Sequence, residues 1–201
     1  MKTKALLIPI IGIVAGAMTF TACNQKVDEK TMTDVTQFGN DWNAMGEKAS
    51  TWSTQLTETA HHAKDFASKQ TDMMNTWMNS KDENMKMKMQ EMTKTAMDNS
   101  THLDAMVNEW NTWKTSWDEN TKSYTEWQNK VMKGEVTPED IQKGMTDWKN
   151  KMTEAQTKMD TWTTSYNSVK ESCDRTMAAS DEMSKSMSTP SHMSPKEKMK
   201  K

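Results

Sequence analysis

The chain has 201 residues, with 26 Lys and Arg against 28 Asp and Glu and a formal net charge of −2 when its four His are neutral. A nearly balanced charge gives no nucleic-acid footprint, which needs a clustered basic face, so no nucleic acid is expected as a partner. Two cysteines, Cys23 and Cys173, exclude a disulfide framework.

The first predicted element is an export signal. Met1 to Lys4 form a short basic start, Ala5 to Phe20 an apolar run, and Phe20-Thr21-Ala22-Cys23 a stretch with two small residues ending in cysteine. Charge, apolar run and small side chains in that order are what an export pathway and a signal peptidase require. The segment resembles the signal and lipobox of bacterial lipoproteins, in which Leu, a small residue and Gly or Ala precede the Cys. Phe20 stands at the Leu position, and the resemblance covers Met1 to Cys23 only. It implies loss of residues 1–22, a diacylglyceryl thioether on the Cys23 sulfur and an acylated amino terminus. Membrane lipid would then be the partner, and no cofactor is expected beyond the covalent lipid. Asn24 stands where an aspartate favours inner-membrane retention in such proteins, which points to the outer membrane, facing the periplasm or the cell surface. Two alternatives stay open. A secretory signal cut after Ala22 would leave a free cysteine, and an uncleaved anchor would need about 20 apolar residues, more than this Pro9-containing run offers.

Residues 23–30 read as a tether. From Val35 onward the apolar residues recur in alternating steps of three and four, the pattern of a helix burying one seam against other helices. The first stripe runs from Val35 to Trp77, a second from Met85 to Val131 and a third from Ile141 to Met187. All nine Trp lie on these stripes. After Cys23 the chain holds Leu56, Leu103 and Ile141 as its only Leu and Ile, but 20 of its 22 Met. Cores usually rely on branched aliphatic residues, so this one must be built from aromatic rings and adaptable thioethers.

The breaks agree with three helices. Between Met132 and Ile141, Gly134 reads as a helix-ending glycine, and Thr137-Pro138 as an N-cap followed by Pro at the first helical position. The earlier break, Asn79 to Asn84, is polar, and Ser80 with Glu83 fits a capping box. The prediction is an all-α, elongated antiparallel three-helix bundle or coiled coil over residues 31–187, with helices near 32–79, 82–132 and 138–187. Residues 188–201 read as a disordered basic tail, in which Lys196, Lys198, Lys200 and Lys201 suit an anionic surface or peptidoglycan. A lipid-anchored helical rod ending in lysine resembles the murein lipoproteins in outline. That likeness implies attachment of the terminal Lys201 to peptidoglycan.

Candidate chemistry is sparse. Met85, Met87, Met89 and Met92, and likewise Met73, Met74 and Met78, have spacings that could present thioethers to Cu(I) or Ag(I), although most methionines fall on or beside the stripes, where core packing explains them. Exposed methionines would also scavenge oxidants. If the first turn centres near residue 82, His62 and His102 come level on neighbouring helices with Glu171 close by, a candidate mixed metal site. Solvated histidines on polar helix shoulders are the commoner case, and no metal site is assigned. The Gly-rich phosphate loops, nucleophile elbows and His-Glu-x-x-His motifs of enzymes are absent, and Cys173 has no neighbouring His to activate it. The sequence therefore points to a non-enzymatic envelope scaffold with an unidentified protein partner. A Met-rich soft-metal or oxidant-handling protein is the alternative.

Overall fold

The structure is a computed structural model that describes residues 27–78 and 82–188. Among these residues there is no strand and there are three helices: α1 (Glu29–Trp77), α2 (Glu83–Met132) and α3 (Pro138–Ser188), of 49, 50 and 51 residues. At 1.5 Å per residue each is about 75 Å long.

Side-chain pairs fix the helix directions. Bonds between α1 and α3 join residues at nearly constant sequence separation, 107 for Thr59 with Tyr166 and 110 for Gln70 with Ser180, so these helices run parallel. Between α1 and α2 the separation falls from 89 at Val35 and Tyr124 to 79 at Trp42 and Thr121 and 23 at Gln70 and Thr93. That decline is a hairpin approaching its turn. The pair α2 and α3 behaves likewise, with 73 residues between Asn99 and Ser172 and 31 between Asn120 and Lys151. The chain thus runs up, down and up. Val27 and the connection 133–137 share one end of the rod, here called proximal, while Ser188 lies at the distal end.

The helix ends follow from local chemistry. Gly134 adopts φ 70°, the left-handed conformation that a Cβ disfavours. Its N–H donates to Val131 O at 2.9 Å and that of Glu135 to Lys130 O at 2.9 Å, the paired bonds of a Schellman stop. Thr137 then caps α3, its Oγ1 accepting from the Asp140 N–H at 3.2 Å and donating to the Asp140 carboxylate at 2.7 Å. Two expected boundaries are corrected. The helix α1 begins inside the expected tether, because Asp28 caps it by accepting from Thr31 N at 2.9 Å and Thr31 Oγ1 at 2.7 Å. The cap of α2 is Asp82, accepting from Met85 N at 3.0 Å, rather than Ser80, which lies outside the described residues. In both cases an aspartate places negative charge on the free N–H groups of the first turn. The tail from residue 189 also lies outside the described residues.

The stripes become the core. Val35, Trp42, Leu56, Met89, Leu103, Val131, Ile141 and Met159 are almost completely buried. Positions beside the stripes, such as Ala60, Ala67, Thr93, Ser100 and Gln128, are buried too. Each helix touches two neighbours in a three-helix bundle, which widens the buried face beyond a single seam. Outer faces are solvated and locally satisfied. Threonine hydroxyls donate to carbonyls one turn back, as from Thr51 to Glu47 O and from Thr157 to Thr153 O, and exposed ion pairs such as Lys94–Asp98 follow i,i+4 spacing.

Candidate functional site

The dominant feature of the interior is a continuous network of rings. Trp42 stacks on Trp117 with centroids 4.3 Å apart and planes 8° apart, and Trp117 stacks on Trp113 at 5.3 Å. Trp113 meets Trp162 edge-on at 5.6 Å, Trp162 stacks on Trp52 at 5.5 Å, and Trp52 touches Tyr166 at 6.3 Å. Towards the proximal end Trp42 contacts Phe38, Tyr124 and Trp148, and Tyr124 contacts Trp127. With Trp110 against Trp52, Trp113 and Trp162, eight of the nine tryptophans and both tyrosines belong to one spine. Each well-oriented ring pair adds about 0.5–1.5 kcal/mol beyond the area it buries. Here such pairs replace the missing Leu and Ile.

The polar edges of the spine are mostly tied down. Trp42 Nε1 donates to Thr121 Oγ1 at 2.9 Å, and Trp162 Nε1 to the Glu109 carboxylate at 3.0 Å. Tyr124 donates to Val35 O at 3.2 Å. The indole Nε1 of Trp52 is buried without a hydrogen-bond partner. Lysines close the outside, Lys151 lying 5.4 Å from the Trp148 centroid and Lys158 5.2 Å from that of Trp162. Between them, a cleft of about 280 Å³ reaches down to Trp42, Trp113 and Trp117.

The distal third is built differently. Gln70 is 1% exposed, donates to Ser180 Oγ at 2.5 Å and leaves its Oε1 unpartnered, while Thr93 Oγ1 donates to Gln70 O at 3.3 Å. Asn99 donates to Ser172 Oγ at 3.0 Å one layer nearer the middle. Beyond this polar layer, a second cleft of about 410 Å³ opens between α2 and α3, with Met85, Met92 and Met183 in its walls.

The residues singled out from sequence are dispersed. Met89 is fully buried and Met87 is 61% exposed, so of the trio Met85, Met87 and Met89 only Met85 lines the cleft. Successive odd positions are about 200° apart around a helix, which separates Met87 from its neighbours. His62 is exposed with the His61 ring 6.3 Å away, His102 Nε2 lies 3.2 Å from Ser165 Oγ on α3, and Glu171 accepts from Arg175 at 3.1 Å. Among the described residues no three His, Cys, Asp or Glu side chains gather as a metal centre requires. Cys173 is buried and has no disulfide partner among the described residues, and burial pushes its thiol pKa up, with the neighbouring Asp174 charge adding to the shift. Cys23 and the four tail lysines lie outside the described residues. Among the described residues no helix is long and apolar enough to cross a membrane. Comparison of the chain with protein-family models, curated proteins and solved structures gives no match.

Proposed function

We propose that the chain is a lipid-anchored cell-envelope protein whose body is a non-catalytic helical spacer or interaction scaffold. Cys23, acylated after loss of residues 1–22, holds the proximal end at a membrane, the outer membrane being the favoured one. The distal end leads into the segment with Lys196, Lys198, Lys200 and Lys201, whose charge suits peptidoglycan or another anionic surface.

One observation carries the spacer part of this reading. Three helices of nearly equal length, running up, down and up, put the residue nearest the anchor, Val27, and the residue where α3 ends, Ser188, at opposite ends of the rod. Two or four such helices would return the chain to its starting surface. An odd number keeps the ends about 75 Å apart. The stacked aromatic interior supports the same use, because rings with two side-chain torsions pack rigidly along the axis.

The test is metabolic labelling with tagged palmitate followed by envelope fractionation. The expected result is label on the wild-type protein, loss of label and of membrane association in Cys23→Ser, and a mature chain starting at Cys23. Membrane association that survives Cys23→Ser, with no acyl group on the wild type, would overturn the anchored reading. For the distal contact, isolated peptidoglycan should retain the wild type at low salt and release a variant with the four tail lysines changed to Gln.

A further inference from the structure

We propose that the distal cleft between α2 and α3 is a binding site for a soft monovalent cation, Cu(I) or Ag(I), held by the thioethers of Met85, Met92 and Met183. This goes beyond the scaffold reading and stands whether or not Cys23 is acylated.

The geometry comes from register. Met85 and Met92 are seven residues apart, two turns along one face of α2, and the antiparallel α3 brings Met183 to the same cleft. All three are half-buried, unlike Met89, Met106 and Met159, which are sealed in the core, and unlike Met78, Met87 and Met97, which are at least 50% exposed. Half-burial suits a ligand, because an ion can enter from solvent and still meet side chains held by the helices on either side. The cleft measures about 410 Å³, far more than an ion needs, so the thioethers have room to turn inward. Methionine has three rotatable bonds with which to do so.

Ligand softness selects the ion. Thioether sulfur is uncharged and polarisable, so it favours Cu(I) and Ag(I) over Mg(II), Ca(II) or Zn(II), which prefer oxygen or imidazole. Glu91 and Glu182 line the same cleft against Lys88 and supply negative charge for a monovalent cation. No His lines it. A thioether takes up no proton in the working pH range, so binding should persist at pH 5.5, where an imidazole site would weaken through protonation.

The experiment titrates the full chain carrying Cys23→Ser, so that no free leader thiol competes, with Cu(I) under ascorbate against bathocuproine disulfonate. Expected is one retained equivalent at pH 7 and again at pH 5.5. Replacing Met85, Met92 and Met183 together by Leu, which keeps side-chain volume and helix propensity, should abolish that equivalent with an unchanged circular dichroism spectrum. Replacing Met87 and Met97 by Leu, or His62 and His102 by Gln, should leave it. Methyl NMR on the parent chain gives a readout that needs no core variant: one equivalent of Ag(I) should shift the methyl signals of Met85, Met92 and Met183 first. Absence of a retained equivalent in the parent chain would overturn the proposal. So would equal loss in the Met87 and Met97 variant, or silver shifts spread evenly over all methionines.

Discussion

At the scale of single residues, two buried acids tie stability to pH. Burial raises the pKa of the Cys173 thiol, with the Asp174 charge as a lesser cause, and burial raises that of the Tyr124 hydroxyl, with Asp41 as its lesser cause. In the unfolded chain both groups ionise near their ordinary values, about 8.5 for Cys and about 10 for Tyr. Above those values the unfolded state has released protons that the folded state still holds, so their contribution is complete at neutral pH and is lost as pH rises. Thermal melts by circular dichroism should show a midpoint that is steady from pH 7 to pH 8 and falls towards pH 11. The decline should be shallower in the double variant Cys173→Ser, Tyr124→Phe. A midpoint that stays level to pH 11 would contradict this. The same burial should keep Cys173 unlabelled by maleimide at pH 8 until denaturant is added.

At the scale of helices, close approaches decide which substitutions are tolerated. Gly144 on α3 lies under the Trp127 indole of α2, and a Cβ there would meet Nε1 at 2.6 Å and Cε2 at 2.7 Å. Alanine in a helix interior gains about 1 kcal/mol over glycine, but moving a packed ring costs about 1–3 kcal/mol. Gly144→Ala should therefore lower stability by roughly 1 kcal/mol in urea titrations. At Gly46 the nearest atom to an added Cβ is Trp117 Nε1 at 3.4 Å, an ordinary contact. Gly46→Ala should raise stability by about 0.5–1 kcal/mol. Shifts of the same sign in the two variants would contradict the packing described.

Much at this scale was legible in the sequence. Steps of three and four marked Trp42, Leu56, Leu103, Trp110, Met159 and Trp162 as core, and Gly134, Thr137 and Pro138 marked the second turn to the residue. Burial of polar side chains at Thr93, Ser100 and Gln128 was not legible, because it depends on which neighbour covers the edge of the stripe. Asp28 and Asp82 were missed as caps because aspartates are common in this chain and only the turn geometry shows which carboxylate reaches back to an N–H. The lining of the proposed cation site was half visible. Met85 and Met92 are close in sequence, but Met183 joins them only through the antiparallel register of α2 and α3.

At the scale of the whole molecule the rod has two unlike halves. The proximal and central part is packed with stacked indoles, whereas the distal part rests on Ala67, Ala96 and Met89 and on the polar layer of Gln70, Thr93 and Ser180. Apart from Met89 the buried side chains there are small or polar, so they bury less apolar area than indoles and the distal end should open at lower free energy. Native-state hydrogen exchange should find amides near Leu103 to Trp117 protected by the highest opening free energy and those near Met89 to Ala96 by a clearly lower one. Uniform protection along α2 would contradict the division.

The proposed use as a spacer predicts direction as well as length. Energy transfer to a membrane dye from acylated protein on lipid vesicles measures both. A fluorophore is placed in turn at Glu135→Cys, in the proximal connection, and at Asn84→Cys, near the distal start of α2, with acceptor in the outer leaflet. The expected result is strong quenching at position 135, weak quenching at position 84, and none at either position when Cys23→Ser removes the anchor. Equal quenching at the two positions, or stronger quenching at position 84, would contradict a rod held upright by its proximal end.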